Sequence, residues 1–406
     1  MVRYATAATG PVLVAGAQFL FMVMQLSRVS VTDYGRLAFV IVVGQFAVGV
    51  WGALFSAPLV LAASERRHDM AASCAAIAQA SFWALLPAGL LATAAAMAVG
   101  MPTLPAVLLG VYTALMLLRQ FVRAWRLAHH APLAATGSDV VFGVVLLIAL
   151  VLSLTIRGDS LIVATLPLLC AAMAGLLVIL PRTDLPAPAG IRTMWRGYRA
   201  IWSRDSRWAL FGVLTTEMTV NSHSYLVVAV FGADAYAPIA ATALMIRPMT
   251  VLINALIEFE RPRFARELAE HRLGDAAASR RQMHYVLGAA WLISLAAAML
   301  FLSTVPQLLF HNRFDGSILF TGTLLWFAVV LARGLHAPEG VIQQAGGHFR
   351  ALAWVSAWTS GVSVAAVTVA LICHQPLWSI AGIVLGEGCF ALALRRSTLR
   401  LLRSVT

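Results

Sequence analysis

The chain has 406 residues, 61% apolar and only 11% charged, with a mean hydropathy of +0.85 and a formal net charge of +12. A soluble domain carries about 25% charged residues, so this composition excludes a soluble enzyme or binding module and describes a polytopic membrane protein. Every basic residue is arginine. Such an excess in a membrane protein gathers on cytoplasmic loops, so the charge is no evidence for nucleic-acid binding.

A helix of about 20 apolar residues crosses a hydrocarbon core of roughly 30 Å. On that rule the chain is an all-α polytopic membrane protein with about twelve transmembrane helices. In chain order the apolar runs predict spans over 9–27, 37–63, 71–99, 104–122, 138–156 and 160–180. A second set follows at 208–231, 236–257, 284–305, 317–335, 350–372 and 377–394. The N-terminal run has no clear cleavage site and is too long for a signal-peptide core, so it reads as a retained first span. Cys74, Cys170, Cys373 and Cys389 form no CxxC pair, which argues against a zinc site or a disulfide framework.

The arginines orient these spans. With the N-terminus in the cytoplasm, 24 of the 29 fall on the cytoplasmic side, four lie outside (Arg28, Arg36, Arg157 and Arg313) and Arg247 lies within a span. This asymmetry is a strong positive-inside signal, and it places both termini in the cytoplasm. Residues 1–182 then form an N-lobe of six spans, 183–207 a cytoplasmic amphipathic linker, 208–394 a C-lobe of six spans, and 395–406 a basic tail. In the linker, Trp195, Tyr198 and Trp202 interleave with arginines, the pattern of an interfacial helix on anionic lipid.

The two lobes echo one another. Asp33-Tyr34 precedes the second span as Asp234 and Tyr236 precede the eighth, and Arg119 ends the fourth as Arg333 ends the tenth. Six spans is an even number, so both lobes enter from the same side and form a parallel pseudo-repeat around a central cavity, with substrate near midplane.

Span seven is unusually polar for its depth. Glu217, Asn221 and Ser224 share one face, with Thr216, Thr219 and His223 beside it. Such a face turns to a neighbouring helix or a wet cavity, because unpaired polar groups in lipid are costly. Arg247 lies at a comparable depth in span eight, where it can bridge to Glu217 or attract a phosphate through its bidentate fork. Pro248 beside it removes a donor for the Leu244 carbonyl and predicts a kink. Gln18 and Gln25 share a face of span one, with Arg28 at its outer rim. Glu387, in span twelve, and Glu217 are the candidates for proton coupling. Asp139 reads as a helix N-cap, and Arg119, Arg123 and Arg126 as a basic rim facing lipid headgroups. His129, His130 and His336 show no ligand partners.

Three short motifs carry a family resemblance. Gly16-Ala-Gln-Phe-Leu followed by Ser30-Val-Thr-Asp-Tyr-Gly-Arg-Leu-Ala-Phe resembles the opening of the Wzx-type polysaccharide (O-antigen and exopolysaccharide) flippases of the multidrug/oligosaccharidyl-lipid/polysaccharide (MOP) superfamily. Asp33, Tyr34, Gly35 and Ala38 fit that family's xxDYGxxA phrase. Phe231-Gly-Ala-Asp-Ala-Tyr-Ala is similar to its turn before span eight, and Ile257-Glu-Phe-Glu-Arg-Pro-Arg-Phe-Ala-Arg to a cytoplasmic stretch after that span. The resemblance implies alternating-access translocation of a lipid-linked oligosaccharide (a polyprenyl-pyrophosphate glycan) across the bacterial inner membrane. It implies that Arg247, Glu217, Asn221, His223, Ser224, Gln18, Gln25 and Arg28 line the cavity. It also implies coupling to H+ or Na+ rather than a bound cofactor, and partners among membrane lipids, polysaccharide polymerases and glycosyltransferases.

Two other readings compete. A multidrug or other solute antiporter of the same superfamily would favour acidic residues in its cavity, whereas a central arginine suits an anionic load. An integral membrane enzyme of glycan assembly would need an external domain with catalytic groups, and the sequence holds no DxD, HExxH or GxSxG motif in a fitting context. A non-enzymatic transporter of glycan is therefore expected, with no metal and no nucleic acid.

Overall fold

The computed structural model describes residues 2–64, 70–129, 131–156, 160–186, 190–345 and 349–403, and among these every regular element is helical. Among the described residues eleven helical segments are long and apolar enough to cross a membrane, by length and composition. The longest, 191–268, holds two of the twelve expected spans, because the chain reverses within it. Gly232 there adopts φ 81°. The hydroxyls of Ser224 and Tyr236, twelve residues apart, lie 3.1 Å from each other, whereas a straight helix would separate them by roughly 18 Å. The short turn expected between spans seven and eight is thus a tight reversal at a glycine.

By internal contacts the chain forms two compact units, Met1–Leu214 and Thr215–Thr406. The first holds α1 (Val2–Arg28), α2 (Val31–Trp51), α3 (Ala57–Ser64), α4 (Met70–Ala98), α5 (Thr103–Ala128), α6 (Pro132–Ser153), α7 (Ser160–Ile179) and α8 (Ile191–Ile201). The π-turn Gly52–Ser56 joins α2 to α3, so the two make one long span. α6 packs on α1 and α7, and α5 packs on α4 and α7.

The opening turn shows what the Asp33-Tyr34-Gly35 motif does locally. Ser30 caps α2: its Oγ accepts from the Asp33 amide at 3.1 Å and donates to Asp33 Oδ2 at 2.7 Å. Arg36 binds Asp33 Oδ1 at 3.1 Å and the Val99 carbonyl at 3.1 Å, tying this turn to the α4–α5 connection. Tyr34 is fully buried beneath it.

Helix α8 departs from the expectation of a helix resting on lipid. Its apolar residues Met194, Tyr198 and Ile201 bury against Trp51, Phe55, Ile77 and Phe121 of the first unit. The Tyr198 hydroxyl donates to the Leu54 carbonyl at 2.6 Å. A tyrosine can satisfy its one polar atom on a protein carbonyl while its ring packs, and that fixes the helix to the bundle. Trp195 remains exposed.

The second unit begins within α9 (Arg207–Ala243) and contains α10 (Arg247–Ala269), α11 (Leu273–Thr304), α12 (Gln307–Phe310), α13 (Gly316–Ala345), α14 (Phe349–Ile372) and α15 (Ser379–Arg403). α13 packs on α10, α11 and α15. α14 and α15 approach closely: a Cβ added at Gly386 would stand 2.5 Å from the Ser363 Cβ. Small residues at a membrane-helix contact let backbones approach where no hydrophobic force between helices exists.

The unit boundary at 214/215 falls inside the seventh span rather than at the 207/208 end of the linker. Helix α6 also starts at Pro132, six residues before the predicted span, because proline is well suited to a first helical turn.

Two buried charge clusters replace solvated readings of the sequence. Asp139 is not an N-cap. It lies two turns inside α6, at 3% exposure, where one carboxylate oxygen takes Arg119 Nη2 and the other Arg123 Nε at 3.0 Å. Arg119 is 1% exposed, so it does not face headgroups; its Nε donates to Ser138 Oγ at 3.0 Å, and its guanidinium lies 4.7 Å from the Phe142 ring centre. Room for it comes from Gly175, where a Cβ would meet Arg119 Nε at 2.8 Å. In the second unit His336 has a partner after all: its Nε2 is 2.6 Å from Glu387 Oε2, with Phe390 edge-on to the imidazole. In the first unit His129 stacks on Trp125 at 4.7 Å between ring centres, and His130 lies outside the described residues.

Candidate functional site

The polar face of α9 resolves into two stripes. Residues two apart on an α-helix differ by about 200° in direction, so Thr215 and Thr219 point away from Glu217. Thr215 and Thr219 meet α14. Ser356 Oγ donates to Thr215 Oγ1 at 3.1 Å, Ser360 Oγ donates to the Thr215 carbonyl at 2.5 Å, and Ser363 Oγ donates to the Thr219 carbonyl at 2.9 Å. This stripe joins helices, each such bond in a membrane contributing about 0.6 kcal/mol.

The opposite stripe is Glu217, Asn221 and Tyr225, four residues apart and all half-buried. Asn221 Nδ2 donates to Glu217 Oε2 at 3.1 Å, and the Tyr225 hydroxyl donates to Glu217 Oε1. Both carboxylate oxygens are therefore held by neutral donors of the same helix. Tyr225 extends the i, i+4 spacing to i+8, a signal that the polar residues alone did not include.

Between the stripes a third group is fully buried. His223 Nε2 lies 3.1 Å from Ser224 Oγ, which lies 3.1 Å from the Tyr236 hydroxyl across the Gly232 reversal. His223 Nδ1 is 3.1 Å from the Val220 carbonyl, and its ring meets Trp326 of α13 edge-on at 5.4 Å. Trp326 Nε1 in turn donates to the Ile239 carbonyl at 3.1 Å. The hydroxyls, imidazole and indole fasten the two limbs of the reversal to each other and to α13.

Arg247 is half-buried and opens α10. The break expected at Pro248 is present as the 3-10 turn Leu244–Ile246. The Leu244 carbonyl, which a helical residue 248 would have bonded, accepts from the Arg247 amide instead. Among the described residues the ion pairs include none between Glu217 and Arg247; the acid is committed to Asn221 and Tyr225.

The remaining expected residues are dispersed. Gln18 and Gln25 belong to the first unit, where the Gln25 Nε2 is buried with no hydrogen-bond partner among the described residues. Arg28 closes the C-terminus of α6, donating to Ser153 Oγ at 2.8 Å and to the Ser153 carbonyl at 2.7 Å. Glu387 is paired with His336 on α13.

This arrangement offers two kinds of chemistry. An arginine inside a membrane-length span can meet an anion by charge-assisted hydrogen bonds. A carboxylate held only by neutral donors can take a proton, or meet a cation, without separating an ion pair.

No family model matches the chain, and no curated protein matches it. Solved structures do. An inward-facing MATE-family multidrug-resistance transporter of the MOP superfamily superposes with a TM-score of 0.71 at 11% identity, covering 99% of this chain and 98% of that one. A eukaryotic MATE transporter gives 0.67 at 13% identity, with 99% and 97% covered. A mutant of a Vibrio cholerae MATE transporter gives 0.64 at 15% identity, with 98% and 95% covered. The chain has the MATE-like transporter fold with two lobes, and the proteins that share it here are transporters rather than enzymes.

Proposed function

We propose that the protein translocates a lipid-linked oligosaccharide, a polyprenyl-pyrophosphate glycan, by alternating access. Its setting is the bacterial inner membrane, with both termini in the cytoplasm and with glycan polymerases and glycosyltransferases as partners. The observation that carries this reading is Arg247, a half-buried cation that opens α10 within a membrane-length apolar segment. Retaining a charge at such depth costs at least 2.5 kcal/mol on the mildest scale, and an anionic pyrophosphate gives it a use. The polysaccharide-flippase motifs and the MATE-like fold agree with this. In vesicles containing the reconstituted chain, a polyprenyl-pyrophosphate oligosaccharide should become accessible to an external glycosidase. Arg247→Ala should slow that transfer at least tenfold with insertion unchanged, consistent with loss of one charge-assisted contact of about 1.5–3 kcal/mol. Unaltered transfer would remove Arg247 from the mechanism.

A second reading, an H+- or Na+-coupled drug antiporter, is favoured by one observation. Glu217 is half-buried and held by neutral donors, a state that suits exchange of a proton for a cation. Efflux of a cationic dye that depends on Glu217 and is indifferent to Arg247 would select it.

A further inference from the structure

At one end of the second unit, α11, α13 and α15 enclose a cleft of about 450 Å³. Its floor is Glu339, 1% exposed, which accepts from Arg280 Nη1 at 3.2 Å. Arg280 Nε and Glu339 Oε2 are buried and carry no hydrogen bond within the described residues. His284 forms one wall: its Nδ1 lies 2.9 Å from the Arg280 carbonyl and its Nε2 3.1 Å from the Leu335 carbonyl. The same Nε2 lies 3.5 Å from Glu339 Oε2, so the ring, when protonated, pairs with that carboxylate. Arg281 and Arg395 line the mouth, and both are exposed. The cleft thus sets three arginines, Arg280, Arg281 and Arg395, and His284 when protonated, against the single Glu339.

The rest of the mouth is apolar and uncovered. Tyr285 is 71% exposed, Leu335 52% and Leu392 61%. A basic floor with an exposed apolar rim, at the ends of membrane-length helices, fits a molecule with one anionic end and a hydrocarbon body. Arginine count assigns all three helix ends to the cytoplasmic side. The geometry points to a binding site for an anionic phospholipid of that leaflet, its phosphate on Arg281 and Arg395 and its acyl chains along Leu335 and Leu392. The shared chemistry is a phosphate monoanion, which a lipid headgroup or free phosphate could supply, and the apolar rim decides for the lipid.

The test is native mass spectrometry of the full chain exchanged into equal phosphatidylglycerol and phosphatidylcholine. Wild type should retain phosphatidylglycerol at least tenfold over phosphatidylcholine, and millimolar inorganic phosphate should neither displace it nor raise the melting temperature. Each arginine at an anionic surface is worth about fivefold, so Arg281→Gln with Arg395→Gln should lower retention about twentyfold. Arg281→Lys with Arg395→Lys, which keeps the charge, should hold the preference and shows that the pocket still folds. Arg192→Gln with Arg199→Gln, removing the same charge from exposed positions on α8, should leave retention as in wild type. Equal loss in that control, or no loss in the cleft variant, overturns the site. Protection by inorganic phosphate equal to that by phosphatidylglycerol overturns the lipid in favour of a free anion.

Discussion

The Tyr225 hydroxyl donates to Glu217 from two turns further along the same helix, and with Asn221 it occupies both oxygens of that carboxylate. Glu217, the acid that depth alone would pair with Arg247, is held by neutral donors of its own helix. The distinction matters for function, because an acid in an ion pair and an acid among neutral donors respond differently to a proton or a passing cation.

A double-mutant cycle tests this separation directly. Glu217→Gln and Arg247→Gln should combine additively, within about 0.5 kcal/mol, in unfolding stability and in the log of transport rate. The charge-swapped pair Glu217→Arg with Arg247→Glu should not regain function. Coupling well above that margin would show that the two residues bridge.

The Arg119–Asp139–Arg123 cluster should behave as a structural core pair. Asp139→Asn leaves the buried Arg119 without its anion and should cost about 3–5 kcal/mol in unfolding by denaturing detergent. Replacing both partners, Arg119→Met with Asp139→Leu, should recover most of that loss, since matched apolar groups avoid the desolvation of two charges. If the single change were silent, the cluster would have no structural weight.

Gly232 makes the reversal that brings Ser224 to Tyr236. At φ 81° a Cβ is strained, so Gly232→Val should cost about 1–3 kcal/mol. Open space surrounds the position, so the cost should come from the backbone alone, and Gly232→Asn should be the milder change because asparagine tolerates positive φ. Thermal unfolding of the two variants measures both. Equal stability of valine and glycine would mean that the reversal does not depend on this backbone.

Some of this architecture is written in one dimension. A run of about 20 apolar residues spans a bilayer whatever its neighbours do, so the twelve spans, the paired lobes and the break at Pro248 were all legible along the chain. So was the concentration of polar groups on α9. Its division is half legible: the i, i+4 spacing of Glu217 and Asn221 shows in the polar residues, whereas Tyr225 at i+8 joins them only through its hydroxyl.

Side-chain partnership was not legible, because it is chosen between helices that sequence does not order in space. Asp139 fits a cap only if α6 begins at 138; the helix begins at Pro132, and packing on α5 sets Asp139 between two arginines. His336 and Glu387, 51 residues apart, met only because α13 packs on α15. The pattern of α8 suits lipid or protein equally, since amphipathicity specifies an apolar face but not what covers it. By itself, then, the sequence determined which segments enter the membrane and which chemical groups go with them. The tertiary structure decided which of those groups neutralise one another, because an ion pair or hydrogen bond forms only within about 3 Å and helix packing sets that distance.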